Sequence, residues 1–489
     1  MSIQSSKQAL NDITDGTLRN RRPRKKRELF RFPFSERRAL LLVVDMALVL
    51  TAVFLALVMW QKQDGAVTNI IRDHWYWFPL ILISWIVLSW LNDLYDIPSA
   101  NRKTLAMSRV FTVSLLLLLV YMVIFFFNKE SLPRLFFMAS IFFAATTVTL
   151  WRWTYAIVFS TLHFRHRVII VGQNERGTTI ANALKREPLI NYQIIGFVDN
   201  ICDGKNGSVN GLPLLGKETD LLKLTEEYKA HEVVVAIERN LEKDLFLRLV
   251  ECQALGVKVS WMPDLYEKVC RRVPIQHVDP SWALFAMQDK SILHRVQDIG
   301  KRMLDLILVF LALPLLVIVI PVIAITVRWD SPGPVFYRQV RCGLAGKKFY
   351  IYKFRTMTVD AEKDGRARWA QRNDPRITRV GRFLRKSRLD ELPQLYNVLQ
   401  GEMSIVGPRP ERPEFIARLE EEIPYYRTRL IVKPGITGWA QVHYDYGNTI
   451  EDGLIKLQYD FYYIRYQSLA LDIYIMFRTV GVLFWLKGT

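Results

Sequence analysis

The sequence predicts a mixed membrane protein with four N-terminal transmembrane helices, a Rossmann-like α/β domain, and an α-rich C-terminal domain that holds a re-entrant membrane helix. Three observations lead to this fold class. Hydrophobic residues make up 51% and charged residues 23% of the 489 residues, and the two kinds are segregated along the chain. Five apolar runs are long enough to enter a bilayer. Between the fourth and fifth runs, short apolar strands alternate with helical patterns, which is typical of a parallel sheet.

The first 38 residues are predicted to form a disordered basic tail on the cytoplasmic side. Eleven of them are Lys or Arg, and the apolar residues are too few to build a core. The apolar run that follows, from Ala39 to Trp60, is longer than a signal-peptide core and long enough to span a membrane. We therefore expect the first transmembrane helix there.

Three further apolar runs complete a four-helix transmembrane region predicted over 39–160. They lie at about Trp75 to Leu91, Val110 to Phe127 and Leu135 to Trp151. Lys and Arg number eleven in the tail but only two, three and two in the successive links. Because positive residues are retained in the cytoplasm, the tail and all residues from 152 onward are expected on that side.

A Rossmann-like domain of regulatory type is predicted over 165–285. An apolar strand at Val168–Gly172 is followed by a turn, a helix and a second strand that ends at Asp199. In such a domain Gly172, Gly177 and Asp199 are the candidate contacts to a nucleotide or CoA-like ligand. The middle glycine of the dinucleotide fingerprint is missing, so Gly172 as a plain turn residue is favoured over a cofactor site.

The fifth apolar run, 304–327, is predicted to be a re-entrant membrane helix. It contains one charged residue, Asp305, and two interior prolines, Pro314 and Pro321. Proline removes a helical hydrogen bond and is expected to break the run into a hairpin whose two ends stay on the cytoplasmic face. A single span through the membrane is the alternative, and the sequence does not decide which proline turns the hairpin.

Asp390 and Glu391 stand out in the basic segment that follows this run. A charge run beside a membrane helix is usually a solvated face on anionic lipid. Pro393 is tolerated only in the first turn of a helix, which places Asp390 and Glu391 at a helix N-terminus. Free N–H groups there can keep a carboxylate ionised and receive a phosphate, so Asp390 is a potential nucleophile. Ordinary helix capping is the competing interpretation of an isolated Asp-Glu pair.

Two other features narrow the class of function. Arg409 lies between two prolines in Gly407–Pro410, and the resulting stiff backbone suits bidentate recognition of a phosphate. The net charge of +19 suits phosphates, anionic lipid or nucleic acid, but the basic residues crowd around a membrane segment, which argues against a nucleic-acid partner. The four cysteines are far apart and without a Cys-x-x-Cys pair, which argues against a zinc ribbon or a disulfide framework.

Four sequence strings together resemble the polyprenyl-phosphate glycosyl-1-phosphate transferases, the bacterial enzymes that start capsule, exopolysaccharide and O-antigen assembly. The strings are Lys-Phe-Arg, Leu-Asp-Glu-Leu-Pro-Gln-Leu, Gly-Pro-Arg-Pro and Pro-Gly-Ile-Thr-Gly. The resemblance covers nearly the whole chain and implies that the catalytic domain occupies 295–489. It also implies transfer of a hexose-1-phosphate from a UDP-sugar to undecaprenyl phosphate at the cytoplasmic face of the bacterial inner membrane, with release of UMP.

The same resemblance assigns roles to individual residues. Asp390 is expected to be the nucleophile that forms a covalent phosphosugar, with Glu391 as its partner. The expected phosphate-binding residues are basic side chains in the matching strings: Arg385, Arg409, Lys353 and Arg355. Magnesium, with manganese as an alternative, is expected on Asp390 and Glu391, because hard carboxylate and phosphate oxygens suit these ions. Gln441–Gly447 departs from the commoner form of the family, so the sugar, usually glucose or galactose, is left open.

Two rival functions remain from the sequence. A membrane-tethered nucleotide-sugar oxidoreductase or epimerase would place its chemistry at Gly172 and leave Asp390 as a helix cap, but the α/β domain has no Tyr-x-x-x-Lys pair to support it. A non-catalytic scaffold of polysaccharide assembly would turn over no UDP-sugar. The sequence also leaves open the carrier length and the oligomeric state, a homo-oligomer included.

Overall fold

The structure is a computed structural model that divides into two compact units, Met1–Trp261 and Met262–Thr489. It describes the following residues: 34–64, 75–96, 100, 102–127, 134–159, 166–186, 192–200, 208–209, 211–237, 241–278, 292–359, 361, 374–444, 447 and 449–484. Apart from its last five residues, the basic tail predicted over 1–38 lies outside the described residues. Those five already belong to the first helix, which begins at Phe34.

Four apolar helices open the first unit, in agreement with the prediction. They are α1 (Phe34–Asp64), α2 (Trp77–Leu91), α3 (Lys103–Phe127) and α4 (Arg134–Phe159). The first, third and fourth are long and apolar enough to cross a membrane, whereas α2 is a shorter apolar helix of 15 residues. The bundle core is rich in aromatic residues, and the rings of Tyr121 and Phe137 stack with centroids 3.8 Å apart.

A charged pair lies inside this bundle. Arg152 on α4 donates from a terminal guanidinium nitrogen to Asp45 Oδ2 on α1 at 2.5 Å, and both side chains are fully buried. Burying an ion costs several kcal/mol unless a partner of opposite charge is in contact with it. The pair therefore ties α1 to α4 in one register.

The α/β domain follows the bundle and has the predicted Rossmann-like class. Its strands are β1 (His166–Val171), β2 (Tyr192–Val198), β3 (Ser208–Val209), β4 (Leu212–Gly216), β5 (Glu232–Val235) and β6 (Lys258–Trp261). The sheet order is β3-β4-β2-β1-β5-β6, and every pair is parallel except β3 with β4. The helices of this domain are α5 (Glu175–Arg186), α6 (Leu221–Glu227) and α7 (Lys243–Ala254). Residues 168–171 at the sheet centre are fully buried, as expected of a strand covered on both faces.

A buried carboxylate joins the amino ends of three strands in this sheet. Glu232 accepts hydrogen bonds from Lys258 Nζ and Ser260 Oγ, both at 2.5 Å, and is bonded to His166 Nε2 at 2.8 Å. Burial raises the pKa of Glu232, but the hydrogen bonds from His166, Lys258 and Ser260 outweigh it and lower the pKa to about 2. Glu232 is therefore held as an anion in the folded domain.

The boundary between the two units falls earlier than the domain end predicted near 285. Helix α8 (Met262–Cys270) and the 3-10 turn Ile275–His277 belong to the second unit. Val273 and Ile275 are buried in the core of that unit. Because these apolar side chains find their partners in the C-terminal domain, the chain leaves the α/β domain directly after β6.

The second unit combines helices with two small sheets. Its further helices are α9 (Ile292–Asp330), α10 (Arg379–Ser387), α11 (Gln394–Gln400), α12 (Pro413–Glu422), α13 (Trp439–His443), α14 (Ile450–Arg465) and α15 (Leu469–Phe484). Its strands are β7 (Phe336–Cys342), β8 (Lys348–Phe354), β9 (Ser404–Val406) and β10 (Gly435–Thr437). The first two strands pair antiparallel and the last two parallel.

Helix α9 continues through the break that the sequence predicts. Pro314 and Pro321 both lie inside the helix, and neither interrupts it. The break expected within 304–327 is therefore not present in α9. Within α9 the stretch Val296–Asp330 is long and apolar enough to cross a membrane. Helix length and composition alone therefore leave the choice between a span and a re-entrant insertion open.

Both halves of α9 pack on the same domain. About halfway along the helix, Val309 is buried with Phe349 on β8, and near the end Ile323 and Val327 are buried with Phe354 of the same strand. The intervening residues, 310–322, extend about 20 Å at the rise of an α-helix, which is less than the ~30 Å hydrocarbon core of a bilayer. A re-entrant insertion of α9 stays our prediction on this ground.

Candidate active site

Asp390 and Glu391 lie in a tight turn between two helices. Helix α10 ends at Ser387, and Arg388 then adopts a left-handed conformation with φ of 54°. Leu389–Glu391 form a single 3-10 turn, and α11 begins directly after Pro393. The acidic pair therefore precedes the helix that the proline predicts. Helix α11 has only 7 residues, so the charge around the pair comes mainly from side chains.

Cations surround the Glu391 carboxylate. Lys353 Nζ on β8 and a terminal nitrogen of Arg409 each lie 2.7 Å from Glu391 Oε1, and Arg388 lies 3.9 Å from Oε2. Burial raises the pKa of Glu391, but Arg409, Lys353 and Arg388 outweigh burial and hold the pKa well below its usual range. Glu391 is thus an anion that fixes two of the predicted phosphate-binding side chains in place.

Arg388 has no role in the site predicted from the sequence. The sequence signal for Arg388 is weak. Any two residues three positions apart in a helical turn have neighbouring side chains, so the spacing of Arg388 and Glu391 does not by itself mark a site. Its left-handed backbone, which turns the chain from α10 into the acidic pair, cannot be read from residue type.

Asp390 is buried beside this cluster, but within the described part of the chain its oxygens have no direct partner. No described residue donates a hydrogen bond to its carboxylate or forms an ion pair with it. Burial, and after it the neighbouring Glu391, raises the pKa of Asp390; Lys353, Arg385 and Arg409 offset this only in part, so the pKa of Asp390 stays above its ordinary value. The lone pairs of this carboxylate are therefore available to an electrophile or a metal ion, with cations close by to favour the ionised form.

Arg385 and Arg355, the other two predicted phosphate-binding residues, have different environments. Arg385 on α10 is close enough to Asp390 to lower its pKa, and its Nε donates to Thr356 Oγ1 at 3.0 Å. Arg355 instead donates to the carbonyl oxygens of Ser331 at 2.6 Å and Pro332 at 2.9 Å. Arg355 fastens the turn after α9, and its guanidinium is not brought to the acidic pair.

Gly407–Pro410 and Lys433–Trp439 form one structural unit. Strands β9 and β10 pair beside them, Gly407 N donates to Thr437 O at 2.8 Å, and Gly435 N donates to Pro408 O at 2.9 Å. A side chain on Gly438 would overlap the carbonyl oxygen of Gly407. The segment Lys433–Trp439 therefore supports the backbone that carries Arg409.

The backbone around Arg409 is fastened through its carbonyl oxygens. Proline has no N–H, so a Pro-Arg-Pro segment offers few donors by which a neighbour can hold it. Four successive carbonyls each accept a hydrogen bond: Pro408 O from Gly435 N at 2.9 Å, Arg409 O from Arg429 at 3.0 Å, Pro410 O from Arg341 at 3.0 Å and Glu411 O from Cys342 N at 3.0 Å. The position of the Arg409 guanidinium thus rests on contacts that sequence spacing does not reveal.

The acidic pair fits a magnesium ion through one of its two members. The oxygens of Asp390 are available to a cation, whereas Glu391 already faces three cationic side chains. In the described part of the chain, no group of three or more His, Cys, Asp or Glu could hold a metal. Magnesium is often held by one or two carboxylates together with substrate phosphates. Asp390 fits as that ligand, and the contacts of Glu391 do not support a second one.

The candidate cofactor residues of the α/β domain form a tight backbone turn. Gly172 has φ of 104°, and its N–H donates to Val198 O at 2.9 Å. A Cβ on Gly177 would overlap the carbonyl oxygen of Gly172, and Asp199 Oδ2 accepts from Gln173 N at 2.6 Å. These contacts account for both glycines and for Asp199 without a nucleotide or CoA-like ligand.

Two protein-family models match the chain. A model described as bacterial sugar transferase matches residues 296–486, and a model described as CoA-binding domain matches residues 90–263. The first match covers the acidic pair, its cations and the paired glycine strings. The second covers the α/β domain together with α3 and α4 of the helical bundle.

Curated relatives match the chain over about half to two thirds of their own length. The UDP-N-acetylgalactosamine-undecaprenyl-phosphate N-acetylgalactosaminephosphotransferase of Aeromonas hydrophila is 41% identical over 233 residues, which are 47% of this chain and 53% of the relative. The UDP-glucose:undecaprenyl-phosphate glucose-1-phosphate transferase of Xanthomonas campestris pv. campestris is 37% identical over 319 residues, 64% of this chain and 65% of the relative. The protein of that same name from Escherichia coli (strain K12) is 34% identical over 323 residues, 65% of this chain and 67% of the relative.

Proposed function

Because this chain belongs to the bacterial sugar transferase family, we propose that it transfers a hexose-1-phosphate from a UDP-sugar to undecaprenyl phosphate, giving undecaprenyl-diphosphate-sugar and UMP. One observation carries the proposal. A buried Asp390, which has no direct partner among the described residues, lies next to Glu391, whose charge is matched by Lys353 and Arg409. A nucleophile beside preset cations is suited to the transfer of a charged phosphoryl group through a covalent intermediate.

The proposed reaction has two steps at one phosphorus atom. An Asp390 oxygen attacks the phosphorus that bears the sugar, and the bond from this phosphorus to the bridging oxygen breaks, so that UMP leaves with the bridging oxygen. The sugar-phosphate is then held on Asp390 as an acyl phosphate. A phosphate oxygen of undecaprenyl phosphate attacks the same phosphorus in the second step and returns Asp390 as a free carboxylate.

The cations around the pair stabilise charge that moves during these steps. Arg409 and Lys353 are proposed to contact phosphate oxygens, while Glu391 keeps both side chains at a fixed position. Arg385 is proposed to contact the phosphates from the opposite end of the turn, since it already lies near Asp390. Magnesium, or manganese in its place, bound to Asp390 would neutralise part of the charge of the diphosphate.

The cellular setting follows from the same proposal. We place the active site on the cytoplasmic face of the bacterial inner membrane, since UDP-sugars are cytoplasmic and the positive-inside rule puts residues from 152 onward there. The product would then begin an exopolysaccharide, capsule or O-antigen chain. The relatives described above are named for glucose and for N-acetylgalactosamine, and the family resemblance adds galactose, so all three sugars are candidates for this chain.

The test is release of UMP from a panel of UDP-sugars by the full chain in nanodiscs with magnesium and undecaprenyl phosphate. We expect release with one or more sugars, and none from Asp390→Asn. Asp264→Asn, a change of the same kind at an exposed residue on α8, serves as the matched control and should retain activity. Equal activity of the parent and Asp390→Asn would refute the nucleophile, and a folded parent that is inactive on every sugar would favour the scaffold.

A further inference from the structure

The guanidinium of Arg409 can serve the reaction only if its backbone is held still. Its side chain reaches Glu391 at 2.7 Å and is 27% exposed, so it is partly accessible to a substrate. A misplacement of about 1 Å at a reacting group can cost 10²-fold in rate. The donor to the carbonyl of Arg409 itself is therefore the contact that bears most directly on this side chain.

That donor is a buried arginine with two further partners. Arg429 lies in the 3-10 turn Tyr426–Ile431, and its side chain is 6% exposed. One terminal nitrogen donates to Tyr426 Oη at 2.7 Å, and the other donates to Arg409 O at 3.0 Å and lies 2.8 Å from Asp460 Oδ2 on α14. The planar fork of one arginine thus connects three separate elements of the domain.

The contacts of Arg429 exceed what is needed to balance its charge in the core. A buried cation is costly unless it is paired, and Asp460, 2% exposed, supplies the opposite charge. Asp460 alone would balance the charge of Arg429. Arg429 also donates a charged hydrogen bond to Arg409 O, which holds the main chain of a residue that the proposed reaction uses.

We propose that Arg429, held by Asp460 and Tyr426, is a positioning residue that sets the location of the Arg409 guanidinium. The expected loss of kcat/KM rests on the proposed function, whereas the expected position of the Arg409 guanidinium does not. Arg429 touches no substrate in this account and acts through Arg409. Arg429→Lys keeps the charge opposite Asp460 but loses the planar fork, because an ammonium cannot serve the three partners in the same geometry.

A double-mutant cycle on UMP release by the full chain in nanodiscs tests the proposal. We expect Arg429→Lys to lower kcat/KM about 10²-fold in the parent and to change it less than about twofold in an Arg409→Ala background. Equal factors in both backgrounds would mean that Arg429 acts independently of Arg409, and the proposal would be wrong. Arg427→Lys is the matched control, because Arg427 is two residues away and its side chain is 71% exposed.

Tyr426→Phe removes one partner of Arg429 while keeping the ring, and replaces Arg429→Lys in the cycle if the lysine variant does not fold. It should show the same dependence on Arg409 with a smaller effect. The structure of the folded variant, determined by electron microscopy, is a second test that does not depend on enzyme activity. The Arg409 guanidinium should move away from Glu391, and an unchanged 2.7 Å contact would overturn the proposal. If the parent releases no UMP, the proposed function fails, and this structural test still decides the inference.

Discussion

At the residue scale, Asp390 and Glu391 are neighbours in one turn whose pKa values are shifted in opposite directions. Three cations face Glu391, whereas no cation of the described residues is in direct contact with Asp390. We predict that Glu391→Gln lowers UMP release at least about 10²-fold, because the freed Lys353 and Arg409 would turn to Asp390 and occupy the nucleophile. Glu422→Gln, an exposed residue at the end of α12, should keep parent activity. Activity near that of the parent for Glu391→Gln would contradict this role.

A second residue-scale prediction concerns the pH dependence of stability. The folded-state pKa of Glu232 is about 2, below its unfolded value. Ionised Glu232 therefore stabilises the folded domain above pH 4.5, and this stabilisation is lost as the pH falls toward 2. Its contribution to the free energy of unfolding at neutral pH is about 3 kcal/mol. Glu232→Gln should lower the melting temperature at pH 7 and lessen the loss on acidification, measured by circular dichroism of the full chain. Glu226→Gln, at an exposed position on α6, should do neither.

At the element scale, the pairing of β9 with β10 depends on a glycine contact. A Cβ on Gly438 would overlap the Gly407 carbonyl, so Gly438→Ala should part the two strands and displace Arg409. We predict a loss of about 1–3 kcal/mol in stability together with a loss of UMP release. Gly453→Ala lies inside α14, where the nearest atoms are flexible ends of Leu419 and Ile423, and should be nearly neutral. Full activity of Gly438→Ala would contradict the structural role of this string.

The insertion mode of α9 makes a second prediction at this scale. If α9 is re-entrant, Arg338→Cys on β7 should react with a membrane-impermeant maleimide only after spheroplasts are permeabilised, in a background whose native cysteines are replaced by serine. Trp75→Cys, which precedes α2 on the predicted outer side, should react without permeabilisation. Reaction of Arg338→Cys in intact spheroplasts would show that α9 spans the membrane.

The sequence predicts elements well where local composition determines them. The apolar helices and strand β1 can be predicted in this way, and so can the helix that begins after Pro393. The end of the α/β domain was not, because Val273 and Ile275 join a core formed by distant residues. Arg355 illustrates the same limit for the site, since its motif places it near β8 but only the fold shows that it binds the turn after α9.

At the scale of the whole molecule, the division at Trp261 predicts which piece is self-sufficient. The second unit contains the acidic pair and its cations, so a chain that begins at Met262 should fold in nanodiscs and release UMP within about tenfold of the parent. A chain that begins at Ile292 removes Val273 and Ile275 from the core and should be less stable by about 1.5–3 kcal/mol for each. Equal melting temperatures of the two truncated chains would contradict this boundary.

The buried pair in the helical bundle also constrains how the protein is made. Asp45 and Arg152 are 107 residues apart, so Asp45 enters the membrane long before its partner has been translated. At about 5–20 residues per second, the delay is about 5–20 s. A lone charge within a membrane span is costly in lipid, so we expect the nascent α1 to stay in a polar or protein-lined environment until α4 arrives. The last helix of the bundle therefore sets the time at which the first can be released into the bilayer.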